Sequence, residues 1–116
     1  MPGRMRTDFG EIYLSDDVLA SLAGLAATEC YGIVGMASKS AKDGIVELLK
    51  RENLSKGVKV TSDGDEIIID LYIIVEFGTK ISVIADNIIR KVKYTLENLT
   101  GLKVKKVNIN VQGVRV

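Results

Sequence analysis

The half of the chain from Ile67 to Val116 most narrows what it can fold into. Ile67, Ile69, Leu71, Ile73, Val75 and Phe77 recur every second residue, as do Val107, Ile109 and Val111. That period predicts two strands, each with one buried face. Between them Ile81, Ile84, Ile88, Val92, Leu96 and Leu99 step by three and four, which predicts an amphipathic helix over about 79–99 with these six on its core side. No catalytic side chain is interleaved with this scaffold.

A chain of 116 residues fits one domain and can bury a single core. Sixteen basic against fifteen acidic residues leave it nearly neutral, without the positive excess that drives non-specific nucleic-acid binding. The single cysteine, Cys30, cannot form an internal disulfide, and its setting among Leu22, Ala26 and Ile33 reads as a small buried hydrophobe. These features point to the cytoplasm. The charged opening Met1–Asp8 leads into no apolar run, so it does not read as a signal peptide. The longest apolar stretch, Ile67 to Val75, is interrupted by Asp70 and is far short of the roughly 20 residues a membrane helix needs, so no direct membrane insertion is expected.

Residues 1–9 carry no periodic pattern and read as a flexible tail, with a single domain over 10–116. Glu11–Leu14 is a short predicted strand. Ser15, followed by Asp16 and Asp17, is a helix start, a hydroxyl cap and then two acids at the positive end of the dipole. That helix is expected to reach Cys30, with Val18, Leu19, Leu22, Ala23, Ala26 and Cys30 as its core stripe. Gly32 and Gly101 are each expected to take positive φ behind a helix and ahead of an aliphatic strand start. Ile33–Val34 opens a further strand, and Asp43–Asn53 is read as a short helix capped by Asp43. Ser62-Asp63-Gly64-Asp65 predicts a hairpin joining antiparallel strands 57–61 and 66–77. Two strand-helix-strand halves are hinted at by the repeated glycine. The expected architecture is α+β, a two-layer sandwich with helices on one face of a mixed, mostly antiparallel sheet.

Gly32-Ile33-Val34-Gly35 has the glycine spacing of the backbone-clamping loop of KH domains, but its middle residues are apolar and a strand is expected there, so a cap and turn is the better reading. Arg90, Lys91 and Lys93 with Lys103, Lys105 and Lys106 form the densest basic cluster, read as a solvated face balanced by Asp86 and Glu97. Glu29 is read as a rim carboxylate bonded to a loop. No histidine is present, and no metal cluster, cofactor loop or nucleophile motif stands out, so no enzyme is expected.

The second faces of the elements are the candidate interaction surface. Val83, Asn87, Arg90 and Tyr94 align opposite the core stripe of the last helix, and Ile68, Tyr72 and Ile74 lie on the reverse of the central strand. Ala20, Gly24 and Ala27 form a small-residue stripe that another backbone could approach. Several such faces in one small domain favour contacts with other chains.

The runs Gly10-Glu11-Ile12 with Leu14-Ser15, Tyr31-Gly32-Ile33-Val34-Gly35-Met36, Phe77-Gly78-Thr79-Lys80-Ile81, Thr100-Gly101-Leu102-Lys103-Val104 and Val107 to Val114 resemble the alkaline-shock-protein, or envelope stress response, family of bacteria. The stretch Asp43–Leu49 with Asn53–Gly57 is similar to its short single-domain branch. The resemblance implies a non-enzymatic cytoplasmic protein of cell-envelope homeostasis that binds protein partners. It implies a homo-oligomer in some members, a membrane-anchor protein as partner in others, and a gene neighbour resembling dihydroxyacetone or fatty-acid kinases. The expected function is therefore a structural or adaptor module acting by self-association and partner binding. The alternative is a small nucleic-acid-binding domain of KH-like shape, distinguished by steep weakening with salt.

Overall fold

The computed structural model describes residues 3–39, 48, 49 and 51–116. The elements run β1 (Gly3–Thr7), β2 (Gly10–Leu14), α1 (Asp16–Thr28), β3 (Ile33–Met36), a 3₁₀ helix (Arg51–Gly57), β4 (Val58–Asp63), β5 (Glu66–Glu76), α2 (Ile81–Thr100) and β6 (Lys103–Arg115). The fold is α+β with a mostly antiparallel sheet, as expected.

β5 is the centre of the sheet. β6 runs parallel along its whole length from Glu66 to Glu76, so β4 and β3, both antiparallel, share the other edge, opposite Glu66–Leu71 and Ile73–Val75 respectively. β5, α2 and β6 thus form one β-α-β crossover, the connection that parallel neighbours require. The first half does not repeat it. β2 pairs with β1 in a separate two-stranded hairpin and never joins the main sheet.

The period-two row behaves as read for Ile67, Ile69, Leu71, Ile73 and Val75, all fully buried under the helices. Phe77 departs from it: the strand has ended at Glu76, and the ring is 70% exposed. On α2, Ile84, Ile88, Val92 and Leu96 are buried, whereas Ile81 and Leu99, at the two ends of the stripe, are exposed. The straight helix drifts off the core there, and Thr100 takes the last inward position, donating its hydroxyl to Leu96 O at 2.5 Å. Gly101 ends α2 at φ 77°, its N–H bonded to Glu97 O at 3.0 Å.

α1 begins as predicted, with Ser15 Oγ accepting from Val18 N at 3.2 Å and Asp16 and Asp17 in the first turn. A cap of this kind contributes about 1 kcal/mol. The helix stops at Thr28, and Val18 faces solvent. The small-residue stripe is turned inward rather than outward. Ala20, Gly24 and Ala27 are buried, and a Cβ built on Gly24 would lie 3.1 Å from Leu54 Cβ and 3.4 Å from its carbonyl oxygen. The backbone that approaches there belongs to the chain's own 3₁₀ helix.

Other boundaries shift for local reasons. Gly3–Thr7, read as tail, pairs residue for residue with β2, because neighbouring chain rather than its own periodicity makes the strand. The β4–β5 turn is Gly64-Asp65, one residue later than read, with Asp63 opposite Glu66 and Gly64 at φ 67°. Of the helix read over Asp43–Asn53, residues 43–47 and 50 lie outside the described residues. Leu48 makes a bridge to Ala37, and 51–53 belong to the 3₁₀ helix.

Candidate interaction surface

Three segments far apart in sequence meet at one end of the sheet. The α1–β3 turn places Tyr31 and Gly32 there, the β5–α2 connection brings Phe77–Lys80, and β6 delivers Val114 and Arg115. Backbone bonds tie them together: Glu76 N to Gly32 O at 3.0 Å and Phe77 N to Arg115 O at 2.9 Å. Thr79 hydroxyl donates to Glu76 O at 2.6 Å and closes the connection. Gly32 has φ 90°, and a Cβ there would lie 2.4 Å from Ile84 Cδ1, so α2 seats directly on the bare glycine. Around this joint Tyr31, Phe77, Ile81, Val83 and Val114 are all exposed. Between Tyr31 and the first turns of α2 lies a concavity of about 260 Å³, lined by Gly78, Thr79, Lys80, Val83, Ile84 and Asn87 as well. α2 has no side-chain cap and no acid in its first turn. Exposed apolar groups that converge in this way make this end the candidate contact surface.

Of the residues picked out in sequence, Val83 belongs to this end. Arg90 and Tyr94 continue the same outward face of α2, Tyr94 exposed and Arg90 bonded to Asp86 at 2.9 Å. The reverse face of β5 is different. Ile68 and Tyr72 are half-buried, and their row includes Asp70 and is flanked by Lys59, Thr61, Lys106, Asn108 and Asn110. Asn108 donates to Asp70 at 2.9 Å. Ile74 is not outward at all: it is buried, opposite Gly35 and Gly113, at the level where both flanking strands shift register. The sequence reading missed Phe77 and left Tyr31 without a role. The signal for Phe77 was the glycine immediately after it, which ends the strand before the ring can turn inward.

Half of the basic cluster, Arg90, Lys91 and Lys105, is ion-paired. Besides the Arg90 pair, Lys105 bonds Asp63 at 2.6 Å and Lys91 bonds Glu29 at 3.3 Å. The Lys105 ammonium holds the Asp63 carboxyl below the usual carboxylate range. Glu97 accepts from Val104 N at 3.0 Å. Glu29, read as bonded to a loop, is instead a partner of α2. Gly32-Ile33-Val34-Gly35 is a turn running into β3, not a loop between helices, so it does not form the KH clamp. Among the described residues no group of three or more acids and cysteines could hold a metal ion. A second concavity, of about 370 Å³, is lined by Leu25, Leu48, Leu49, Leu54 and neighbours, with Glu29 the one charged residue among the described lining.

Cys30 is half-buried, its thiol directed at Ala26 O at 3.8 Å, and burial pushes its pKa up. A raised pKa lowers the thiolate fraction at every pH below it. Cys30 should therefore react with a thiol reagent at neutral pH several-fold more slowly in the folded protein than in urea. Equal rates would show an accessible, reactive thiol.

The fold and this surface define a small two-layer α+β domain with an exposed apolar end; a polar concavity of about 410 Å³, lined by Asp17, Ser38, Lys39, Ser55 and Lys56, lies elsewhere. No helix among the described residues is long and apolar enough to cross a membrane. The chain belongs to the alkaline shock protein 23 family, whose model matches residues 4–116 and whose description is a cell envelope-related function. It is 57% identical to the uncharacterized protein YloU of Bacillus subtilis over 113 residues, 97% of this chain and 94% of that protein. It is 46% identical to the uncharacterized protein Spy1614 of Streptococcus pyogenes over 117 residues, 100% of this chain and 97% of that protein. A stress response regulator gls24 homolog of Streptococcus pyogenes is 26% identical over 106 residues, 91% of this chain and 59% of that protein. No solved structure matches.

Proposed function

We propose that this protein is a non-enzymatic adaptor of cell-envelope stress homeostasis, acting by self-association and by binding protein partners. The observation that carries the reading is the convergence of Tyr31, Phe77, Val83 and Val114 as exposed apolar groups at one end of the sheet. Apolar area at about 25 cal/mol per Å² gives such a patch a reason to pair, offset in part by the ordering costs of association. The family's cell envelope-related function and the stress-response name of a distant relative support the envelope-stress part of this reading. The partners in this reading are a membrane-anchor protein, through which a cytoplasmic chain is held at the membrane, or a protein resembling dihydroxyacetone or fatty-acid kinases.

A pull-down from the native cell, membrane fraction included, tests it with wild type and a Phe77→Asp/Val83→Asp double variant as baits. Both residues are exposed, so circular dichroism should show an unchanged fold. Defined protein partners should be retained by wild type, be lost from the variant, and persist through a high-salt wash. Identical partner sets for the two baits would remove the apolar end from the function, and salt-eluted nucleic acid as the main capture would replace the reading.

A further inference from the structure

β6 is an edge strand of 13 residues whose only strand partner among the described residues is β5. Edges of this length are ordinarily protected by charge, proline or bulges, because their unpaired N–H and C=O groups template another strand. β6 has lysines at 103, 105 and 106 and arginine at 115, but nothing charged and no proline from Val107 to Val114. Its two register shifts fall outside Lys106–Val111, which runs in unbroken register with Ile68–Ile73. Val107, Ile109 and Val111 lie opposite the core row Ile69, Leu71 and Ile73, while Asn108 and Asn110 lie opposite Asp70 and Tyr72 on the other face.

We propose that a second copy of this chain pairs antiparallel along the β6 edge, with Ile109 on the two-fold axis. The inference rests on the self-association part of the reading above and names its surface. About Ile109 the strand is its own complement: Val107 faces Val111, Asn108 faces Asn110, and Lys106 faces Gln112, each twice. Apolar row meets apolar row and amide row meets amide row, the cross-strand pairs that stabilise a sheet. Parallel pairing would instead stack Lys103, Lys105 and Lys106 on their own copies. The symmetric arrangement is isologous, closes at two chains, and joins the two sheets into one.

Gln112 is exposed and is the first residue past the unbroken segment, at the register shift between Val111 and Gly113; continuing the pairing by one residue sets it against Lys106 of the second copy at both ends. Sedimentation velocity over a wide concentration range at low salt gives the dimer Kd of wild type, Gln112→Glu and Gln112→Lys, with circular dichroism as the control on folding. Gln112→Glu should lower Kd and Gln112→Lys raise it, each by about fivefold, since two exposed charge pairs are gained or opposed. Both shifts should shrink in high salt. A wild-type dimer indifferent to both variants, or shifted the same way by both, would overturn the β6 register and leave self-association through another face standing. A wild type monomeric at millimolar concentration would overturn self-association itself, leaving partner binding at the apolar end to the pull-down.

Discussion

Replacing Gly32 with valine should lower the unfolding free energy by about 2–5 kcal/mol, read from the urea midpoint at unchanged slope. Two costs combine. The backbone sits at φ 90°, where a β-branched residue is strained by roughly 1–3 kcal/mol. The new Cβ would also fall 2.4 Å from Ile84 Cδ1 and 2.9 Å from Cγ1, so the buried Ile84 side chain must move aside, which adds an overpacking cost of up to similar size. Gly101→Val meets a gentler environment: φ is 77°, but the nearest foreign atom is the flexible Met5 Sδ at 3.2 Å. It should cost about 1–3 kcal/mol. Equal losses for the two variants would show that backbone conformation alone matters at Gly32, and no loss for either would remove the positive-φ argument.

A contrast within one period-two sequence pattern carries the second large effect. Leu71→Ala should cost about 2–5 kcal/mol, because the side chain is fully buried at the centre of β5, opposite Val58 on one side and Ile109 on the other. Phe77→Ala, six residues on and in the same period, should cost less than about 0.5 kcal/mol, because the ring is already in water. If Phe77→Ala destabilised as much as Leu71→Ala, the ring would be part of the core and not of an exposed surface. If Phe77→Ala leaves stability intact while Phe77→Asp abolishes partner capture, the aromatic serves binding and not folding.

Local chemistry made much of this protein legible from its residues. The alternation from Ile67 to Val75, the three-four spacing from Ile84 to Leu96, the serine cap at Ser15 and the positive φ of Gly32 and Gly101 all rest on short-range sterics and solvent partition, which act the same way in any fold. Tertiary structure decided the rest. Gly3–Thr7 is a strand only because β2 lies beside it. Gly24 is covered because Leu54 folds back over it, and Ile74 is buried between two strands that shift register at its level. The surface depends on long-range geometry in the same way: Tyr31, Phe77 and Val114 are separated by dozens of residues, and it is the antiparallel pairing of β3 and the parallel return of β6, both along β5, that bring them to one end. A period records which side of its own element a residue occupies. What covers that side is determined by the other elements, and no local pattern encodes their arrival.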